Sequence, residues 1–234
     1  MSDMKWNGHP QNGVGGELVS EPRAVDWLTA YNIPYPAHKM ATNAENAVLA
    51  ANNLGYPVVL KVVSPDISHK SDVGGVRVGI KDEAQVAREY IRMMEQVRSA
   101  APHARIQGAL VCCQVPDGVE AIIGAIEDPV FGPTLMFGLG GIFTEVLKDV
   151  SFRIAPVGET DAEDMIREIK GFALLTGARN RPPCDLNAAA ALICSVSRLV
   201  MERAVQALDL NPVYLYPHGA MAVDVRIIKR RSDG

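Results

Sequence analysis

Residues 57–80 read PVVLKVVSPDISHKSDVGGVRVGI, and this stretch decides the fold of the first half of the chain. Its β-branched run at 57–63 predicts a buried strand, and residues 76–80 predict a second strand after a loop. Lys61 lies in the first strand among apolar neighbours, where a desolvated ammonium group needs a partner. The pattern therefore fits either a phosphate ligand or a lysine whose side chain reaches solvent from the end of the strand.

The loop between these strands, residues 64–75, contains a candidate nucleophile, His69. Lys70 and Asp72 lie beside it, and a glycine pair at the end of the loop supplies conformational freedom. An imidazole in a mobile loop can attack phosphorus, and a neighbour such as Asp72 could orient the ring through its other nitrogen. A surface or hydrogen-bonding role is the alternative for a lone loop histidine.

Helices and strands follow one another irregularly around this stretch, which predicts an α+β protein with two lobes. Helices are predicted from Ser20 to Ile33, from a Thr42/Glu45 capping box to Leu54, over 82–100, from a glycine turn to about Leu147, after a Thr160/Glu163 capping box, and over 187–208. Further strands are predicted over 106–115, 120–126, 134–137 and 150–155, with two more that meet near His218-Gly219. The predicted organisation is a polar leader at 1–17, a small lobe at 18–115 with the loop 64–75, a large lobe at 116–228 and a tail at 229–234.

The carboxy-terminal strands, DLNPVYLY (209–216) and MAVDVRII (221–228), predict a candidate metal site. With a two-residue loop near Pro217-His218, Asn211 lies opposite Asp224, and facing Cβ atoms are about 5 Å apart. Asp209 points the same way as Asn211, so two carboxylates and an amide converge as oxygen ligands suited to Mg²⁺. A register moved by one residue would separate them, and an exposed polar face on an edge hairpin is the alternative.

A glycine-rich turn, FGLGGIFTEVLKD at 137–149, could bring backbone N–H groups to an anion at the start of a helix. Gly138, Gly140 and Gly141 give the turn its freedom. The string matches neither GxGxxG nor a P-loop, since Phe143 replaces the last glycine and no GK[ST] follows. A plain tight turn is an equal alternative.

Composition excludes several classes of protein. The formal net charge is -4 and the pI is near 5.7, so the chain offers no basic field to nucleic acid or to an anionic membrane. The apolar stretches fall far short of the roughly 20 residues of a membrane span, and the amino terminus is polar, so a cytoplasmic location is predicted. The four cysteines, Cys112, Cys113, Cys184 and Cys194, lack metal-ligand spacing and favour buried reduced thiols.

Three strings in this order resemble a known family: PVVLKVVSPDISHKSDVGGV, then LVCCQVPDGVEAIIGAIEDPVFGPTLMFGLGGIFTEVLKDVSFRIAP, then LDLNPV with AVDVRI. Over about residues 18–228 the chain is similar to the β subunit, or ATP-grasp portion, of ADP-forming acyl-CoA synthetases of the acetate–CoA type, and more distantly to succinyl-CoA synthetase β subunits. The resemblance implies an ATP-grasp fold with nucleotide held between two α+β lobes. It also implies a partner, because neither the CoA-binding domain nor the domain with the first phosphohistidine is visible in this sequence. An α2β2 heterotetramer is the implied assembly.

The resemblance also implies roles for individual residues. His69 corresponds to a transiently phosphorylated histidine, Lys61 to a contact with the phosphates of ATP or ADP, and Glu120 to a nucleotide or ribose contact. Asn211 and Asp224 match a Mg²⁺-binding pair, with Asp209 as a third metal ligand. Nucleotide contacts are further implied for the adenine-side residues Val111, Cys113, Gln114 and Val115, and for the amides of Gly140 and Gly141.

The implied reaction is acid + CoA + ATP ⇌ acyl-CoA + ADP + Pi, with the phosphoryl group passing between the nucleotide and a histidine. Two other functions remain open. A carboxylate-amine ligase of the same fold would make an acyl phosphate on this chain and trap it with an amine. A nucleotide-sensing module would bind ATP or ADP without turnover.

Overall fold

The computed structural model describes residues 16–141, 144, 147–178 and 182–230. In chain order its elements are β1 (Glu17–Val19), α1 (Glu21–Ala30), β2 (His38–Ala41), α2 (Ala44–Leu54), β3 (Val58–Val63), β4 (Val76–Ile80), α3 (Glu83–Ala100), β5 (Gly108–Cys113), β6 (Val119–Asp128), β7 (Gly132–Leu139), β8 (Val150–Ile154), α4 (Glu159–Glu168), α5 (Phe172–Leu175), α6 (Leu186–Glu202), β9 (Val205–Leu215), β10 (Ala220–Ala222) and β11 (Val225–Lys229). They form two compact units. The small unit comprises Ser20–Arg23 and Pro36–Pro116, and the large unit comprises the described residues of Met1–Val19, Ala24–Tyr35 and Asp117–Gly234.

The small unit is an antiparallel sheet in the order β2-β5-β3-β4, with helices α2 and α3 packed on it. Leu60 and Val62 of β3 lie in its core with Val86 and Met93 of α3. The helical spacing of the apolar residues in α3 directs one face of that helix towards Leu60 and Val62 of β3. The other face of β3, with Lys61 and Val63, is buried as well. The strands predicted at 57–63 and 76–80 and the helix predicted at 82–100 are confirmed to within a residue.

The large unit contains an antiparallel sheet in the order β1-β11-β9-β6-β7-β8, with β10 paired to β9. One face carries apolar residues such as Ile123, Phe137 and Leu210 into a core shared with α4 and α6. Helix α6 begins at the N-cap Asp185, whose side chain accepts a hydrogen bond from the Ala188 amide at 3.0 Å. The opposite face of the sheet carries the polar residues of the candidate metal site.

Several predicted helix ends are wrong. The helix predicted over 187–208 ends at Glu202, because Arg203 is extended and residues 205–208 join β9. The cap of α2 is Asn43 rather than Thr42, since the Asn43 side chain accepts from the Asn46 amide at 2.8 Å. The cap of α4 is Gly158 rather than Thr160. The helix predicted from the glycine turn to about Leu147 falls mostly on residues outside the described set.

The small lobe predicted at 18–115 includes a segment that the structure groups with the large unit, residues 24–35. Val25 and Leu28 of α1 lie in the large core, and Arg203 stacks over the Trp27 ring at 5.3 Å. The tail predicted at 229–234 begins one residue too early, because Lys229 belongs to β11. Over the ranges that the structure describes, no helix combines the length and apolar character needed to cross a membrane.

Candidate functional site

Lys61 lies in β3, between β5 and β4 of the small sheet, and only 6% of its surface is exposed. Its Nζ atom donates a hydrogen bond to Oε1 of Glu21 at 2.9 Å, and Glu21 is itself 7% exposed. The partner that the sequence required is therefore the first residue of α1, forty positions earlier in the chain. A lysine side chain that snorkels to solvent is excluded.

The end of the loop 64–75 is attached to the same strand. The Gly75 amide donates to the Lys70 carbonyl at 2.6 Å, and the Val62 amide donates to the Gly75 carbonyl at 2.7 Å. The Lys70 ammonium lies 3.3 Å from Oε2 of Glu21. Glu21 thus contacts both the strand with Lys61 and the loop with His69, whose side chain is half-buried.

The beginning of this loop is held by Asp66. Its carboxylate accepts from the Arg105 side chain at 2.8 and 2.9 Å and from the Arg105 backbone amide at 2.8 Å. These hydrogen bonds, first those from the side chain and then that from the backbone, lower the pKa of Asp66 to about 2. Both ends of the loop are therefore fixed, and the segment around His69 lies between them.

The Asp66 anchor leads to a pH prediction. A depressed carboxyl pKa means that the contact is complete above the ordinary value of 3.8 and is lost as the pH falls towards 2. In a ¹³C NMR titration we expect the Asp66 carboxyl to titrate near 2 in the native chain and at a higher pH in Arg105→Gln, still below 3.8 because the backbone amide of residue 105 keeps donating to it. Titration near 3.8 in the native chain would show that Arg105 does not hold the loop.

The segment 111–115 only partly fits the predicted adenine contact. Val111 is fully buried in the small core and is paired on both sides, with Lys39 and with Leu60. Its side chain is therefore not accessible to a nucleotide, which removes it from the candidates. Cys113, Gln114 and Val115 are half-buried or exposed and remain candidates.

Glu120 and the glycine turn after β7 come together in the large unit. The Gly140 amide donates to the Glu120 carbonyl at 2.8 Å, and a Cβ atom at Gly140 would lie 2.8 Å from Cβ of Glu120. Gly141 has a φ of 62°, a conformation that favours glycine. The Gly140 amide is therefore already donated to the Glu120 carbonyl and is not available to an anion, whereas the exposed Glu120 side chain and the Gly141 amide remain candidate contacts to one ligand.

The hairpin register is as predicted. Val213 lies opposite Ala222 and Leu210 lies opposite Val225, so Asn211 and Asp224 occupy facing positions between these pairs. Against β6 the pairing shifts here, and β9 carries one residue more than its neighbour. Leu210 and Val213 both enter the core. Asn211 and Pro212, which lie between them, therefore point away from the core, so Asn211 lies on the same face of the sheet as Asp209.

Arg226 lies directly opposite Asp209 on this polar face, and the two residues are 7% and 5% exposed. Burial lowers the pKa of the Arg226 guanidinium, and the nearby Asp209 carboxylate opposes part of that shift. Asp209 therefore has a charged neighbour that the sequence prediction did not include. The register that places Asn211 opposite Asp224 also implies this second pair.

The chemistry of the donor set fits Mg²⁺. The two carboxylates and one amide would supply hard oxygen ligands from β9 and from the segment just before β11. The amide is needed to reach three ligands, because the residues that the structure describes contain no group of three His, Cys, Asp or Glu side chains placed for a metal. The register places Asn211 opposite Asp224 and on the face of Asp209, as predicted, and the binding of a metal by these three residues stays a prediction. Glu21 and Arg226 are the charged residues that the sequence prediction missed.

Comparison with known proteins identifies close relatives. A family model of the ATP-grasp domain matches residues 13–228. The β subunit of acetate–CoA ligase [ADP-forming] I from Pyrococcus furiosus is 46% identical over 89% of this chain and 90% of its own length. A single-chain acetate–CoA ligase [ADP-forming] I from Archaeoglobus fulgidus is 43% identical, and the match covers 92% of this chain but 31% of that protein.

Solved structures give the same picture. Acetyl-coenzyme A synthetase 1 of Ca. Korarchaeum cryptofilum, in complex with coenzyme A and Ca-AMPCP, is 46% identical and superposes with a TM-score of 0.90 over 92% of this chain and 95% of that chain. Another structure of that enzyme holds coenzyme A and Mg-AMPPCP, and its phosphohistidine segment points towards the nucleotide binding site. That chain is 43% identical, with a TM-score of 0.80 over 92% of this chain and 93% of its own length.

Proposed function

Because the chain belongs to the ATP-grasp family and to the β subunits of ADP-forming acetate–CoA ligases, we propose that it transfers a phosphoryl group between a bound nucleotide and His69. The overall reaction is acid + CoA + ATP ⇌ acyl-CoA + ADP + Pi, an acid–thiol ligation. The observation that carries the assignment of residues is the buried Lys61 ammonium, which shares Glu21 with the loop that contains His69.

In the direction of ATP use, a ring nitrogen of His69 attacks the γ-phosphorus of ATP. The new P–N bond forms as the bond to the bridging oxygen breaks, and ADP leaves with the electron pair. The attacking nitrogen must be unprotonated. In the reverse direction a terminal oxygen of ADP attacks the phosphorus, and the imidazole leaves with the electron pair.

The remaining residues bind and orient. Lys61 contacts the phosphates, and the Gly141 amide stabilises negative charge on them, while the Gly140 amide holds the turn against the Glu120 carbonyl. Glu120 contacts the nucleotide or its ribose, and Cys113, Gln114 and Val115 contact the base. Little covalent work falls to the protein, because positioning and charge stabilisation account for most of the catalysis of phosphoryl transfer.

Asp209, Asn211 and Asp224 would hold the Mg²⁺ that accompanies the nucleotide. When bound, the ion neutralises charge on the phosphate oxygens. The Arg226 guanidinium opposite Asp209 adds a fixed positive charge to the same face of the sheet.

The acyl phosphate and the first phosphohistidine belong to a partner. The Archaeoglobus fulgidus relative, in which the matching segment is 31% of a longer chain, supports a partner that carries the CoA-binding and phosphohistidine parts. We place the two kinds of chain in an α2β2 heterotetramer. A cytoplasmic location agrees with the four free cysteines among the described residues.

Product analysis tests the function. The chain and its candidate partner are incubated with Mg²⁺, ATP, CoA and a panel of short carboxylic acids, and each chain alone serves as the control. We expect acyl-CoA, ADP and phosphate in equal amounts, and only when both chains are present. Turnover that needs an amine and no CoA would instead establish a carboxylate-amine ligase. Tight nucleotide binding without products under any of these conditions would establish a sensing module.

A further inference from the structure

Glu21, Lys61 and Lys70 form a buried charge cluster in the small unit that the proposed reaction does not explain. The two carboxylate oxygens of Glu21 divide between the two lysines, at 2.9 Å from Nζ of Lys61 and 3.3 Å from Nζ of Lys70. The side chains of Glu21, Lys61 and Lys70 are 5%, 8% and 11% exposed. A carboxylate at this depth is costly unless it is paired, so its position requires an explanation.

The Glu21 carboxylate contacts the two lysines in the way that a bound phosphate would contact them. A phosphate presents several oxygen acceptors to neighbouring ammonium groups, and here one carboxylate presents one oxygen to each of two lysines. The first lysine is the proposed phosphate ligand, and the second adjoins His69 in the chain. Glu21 therefore occupies the position that a phosphoryl oxygen would take on the same two ammonium groups.

We propose that Glu21 is a positioning residue that acts as an internal substitute for phosphate. It holds Lys61 and Lys70 in place before nucleotide binds, and it ties the loop 64–75 to β3 through Lys70. An incoming phosphoryl group competes with the carboxylate for Lys61. This inference rests on the proposed contact between Lys61 and the nucleotide phosphates.

Competition between Glu21 and the nucleotide for Lys61 predicts the direction in which a substitution at Glu21 changes the affinity for ADP. While Glu21 occupies Lys61, only part of the population presents a free ammonium group, and the apparent affinity for nucleotide is reduced by that fraction. Glu21→Gln keeps the size and shape of the side chain but removes its charge. We expect the variant to bind ADP about 5- to 10-fold more tightly than the native chain. A carboxylate that merely supported the fold would leave the affinity unchanged or weaken it.

The contact between Glu21 and Lys70, which attaches the loop 64–75 to β3, predicts a second effect of Glu21→Gln. With the charge at position 21 removed, Lys70 is held less firmly, and trypsin should cleave after Lys70 several-fold faster in the ligand-free variant. The cleavage rate at this bond is read by mass spectrometry under native conditions. Glu168→Gln is the matched control, because Glu168 pairs with Arg153 in the large unit and that loss should change neither ADP affinity nor cleavage after Lys70.

The decisive experiment measures ADP affinity by calorimetry for the full chain with its partner, in four forms: native, Glu21→Gln, Lys61→Met and Lys70→Gln. We expect tighter binding in Glu21→Gln, weaker binding in Lys61→Met, and a few-fold weaker binding in Lys70→Gln, where Glu21 is left to Lys61. Unchanged or weaker binding in Glu21→Gln, with Lys61→Met still impaired, overturns the role of Glu21 and leaves the proposed function in place. Native-like binding in Lys61→Met overturns the phosphate contact itself. If Glu21→Gln does not fold, native-like affinity in Lys70→Gln overturns the competition.

Discussion

Replacing His69 by alanine should abolish phosphoryl transfer to this chain and lower turnover with the partner by at least about 10³-fold, because no other group replaces a covalent nucleophile. The half-buried position of His69 between two fixed loop ends supports this role. The measurement is acid-labile, base-stable label on the chain after incubation with Mg²⁺ and γ-³²P-ATP, together with acyl-CoA formation by the complex.

His103→Ala is the control for this variant. His103 is exposed, lies in the same unit, and belongs to no part of the proposed site. We expect it to label and turn over like the native chain. Label that persists on the chain in His69→Ala would show that another residue is phosphorylated, whereas lost label with full turnover would show that phosphorylation of His69 is not on the reaction path.

The second large effect concerns the two acids of the metal face, which should differ in what their loss disturbs. Asp209→Asn removes a negative charge directly opposite the buried Arg226, so the free energy of unfolding should fall by about 3 kcal/mol or more. Asp224→Asn changes a half-buried residue and should lower stability by less than about 1 kcal/mol. Both variants should reduce Mg²⁺-dependent turnover by about 10²-fold or more. Urea unfolding and steady-state kinetics separate the two effects.

A double variant checks the assignment of the stability effect to Arg226. In Asp209→Asn combined with Arg226→Met the buried positive charge is also removed, so stability should recover while turnover stays low. Equal stability losses in Asp209→Asn and Asp224→Asn would contradict the special position of Asp209. Full turnover of Asp224→Asn at low Mg²⁺ would remove that residue from the metal site.

The local sequence pattern was sufficient to predict an element of the fold where hydrophobic periodicity and turn residues agreed. The β3 strand, the α3 helix and the hairpin register follow from a β-branched run, from apolar residues at helical spacing and from the Pro217-His218 turn. The end of α6 could not be read in the same way, because the apolar residues of 205–208 suit the face of a helix as well as a strand. Only pairing with β11 and β6 decides that they belong to β9.

Contacts between charged residues that are far apart in the chain could not be predicted from the sequence. Lys61 visibly needed a partner, yet nothing in the local pattern selects Glu21 from the other acids of the chain, since forty residues separate the two. Val111 was assigned to the nucleotide because the resemblance covered its segment, but its side chain lies in the core. Arg226 is different, because the predicted register already implied that it faces Asp209.

The two anchors of the loop 64–75 affect the rate of the proposed phosphoryl transfer to His69. A tethered imidazole searches a volume set by the length of its tether, and its effective concentration at a target within that volume falls as the tether grows. Asp66 at one end and the Gly75 hydrogen bonds at the other keep the tether short. Natural variation in the length of this loop would therefore tune how often His69 meets its phosphoryl donor, without any change in the chemistry of the ring.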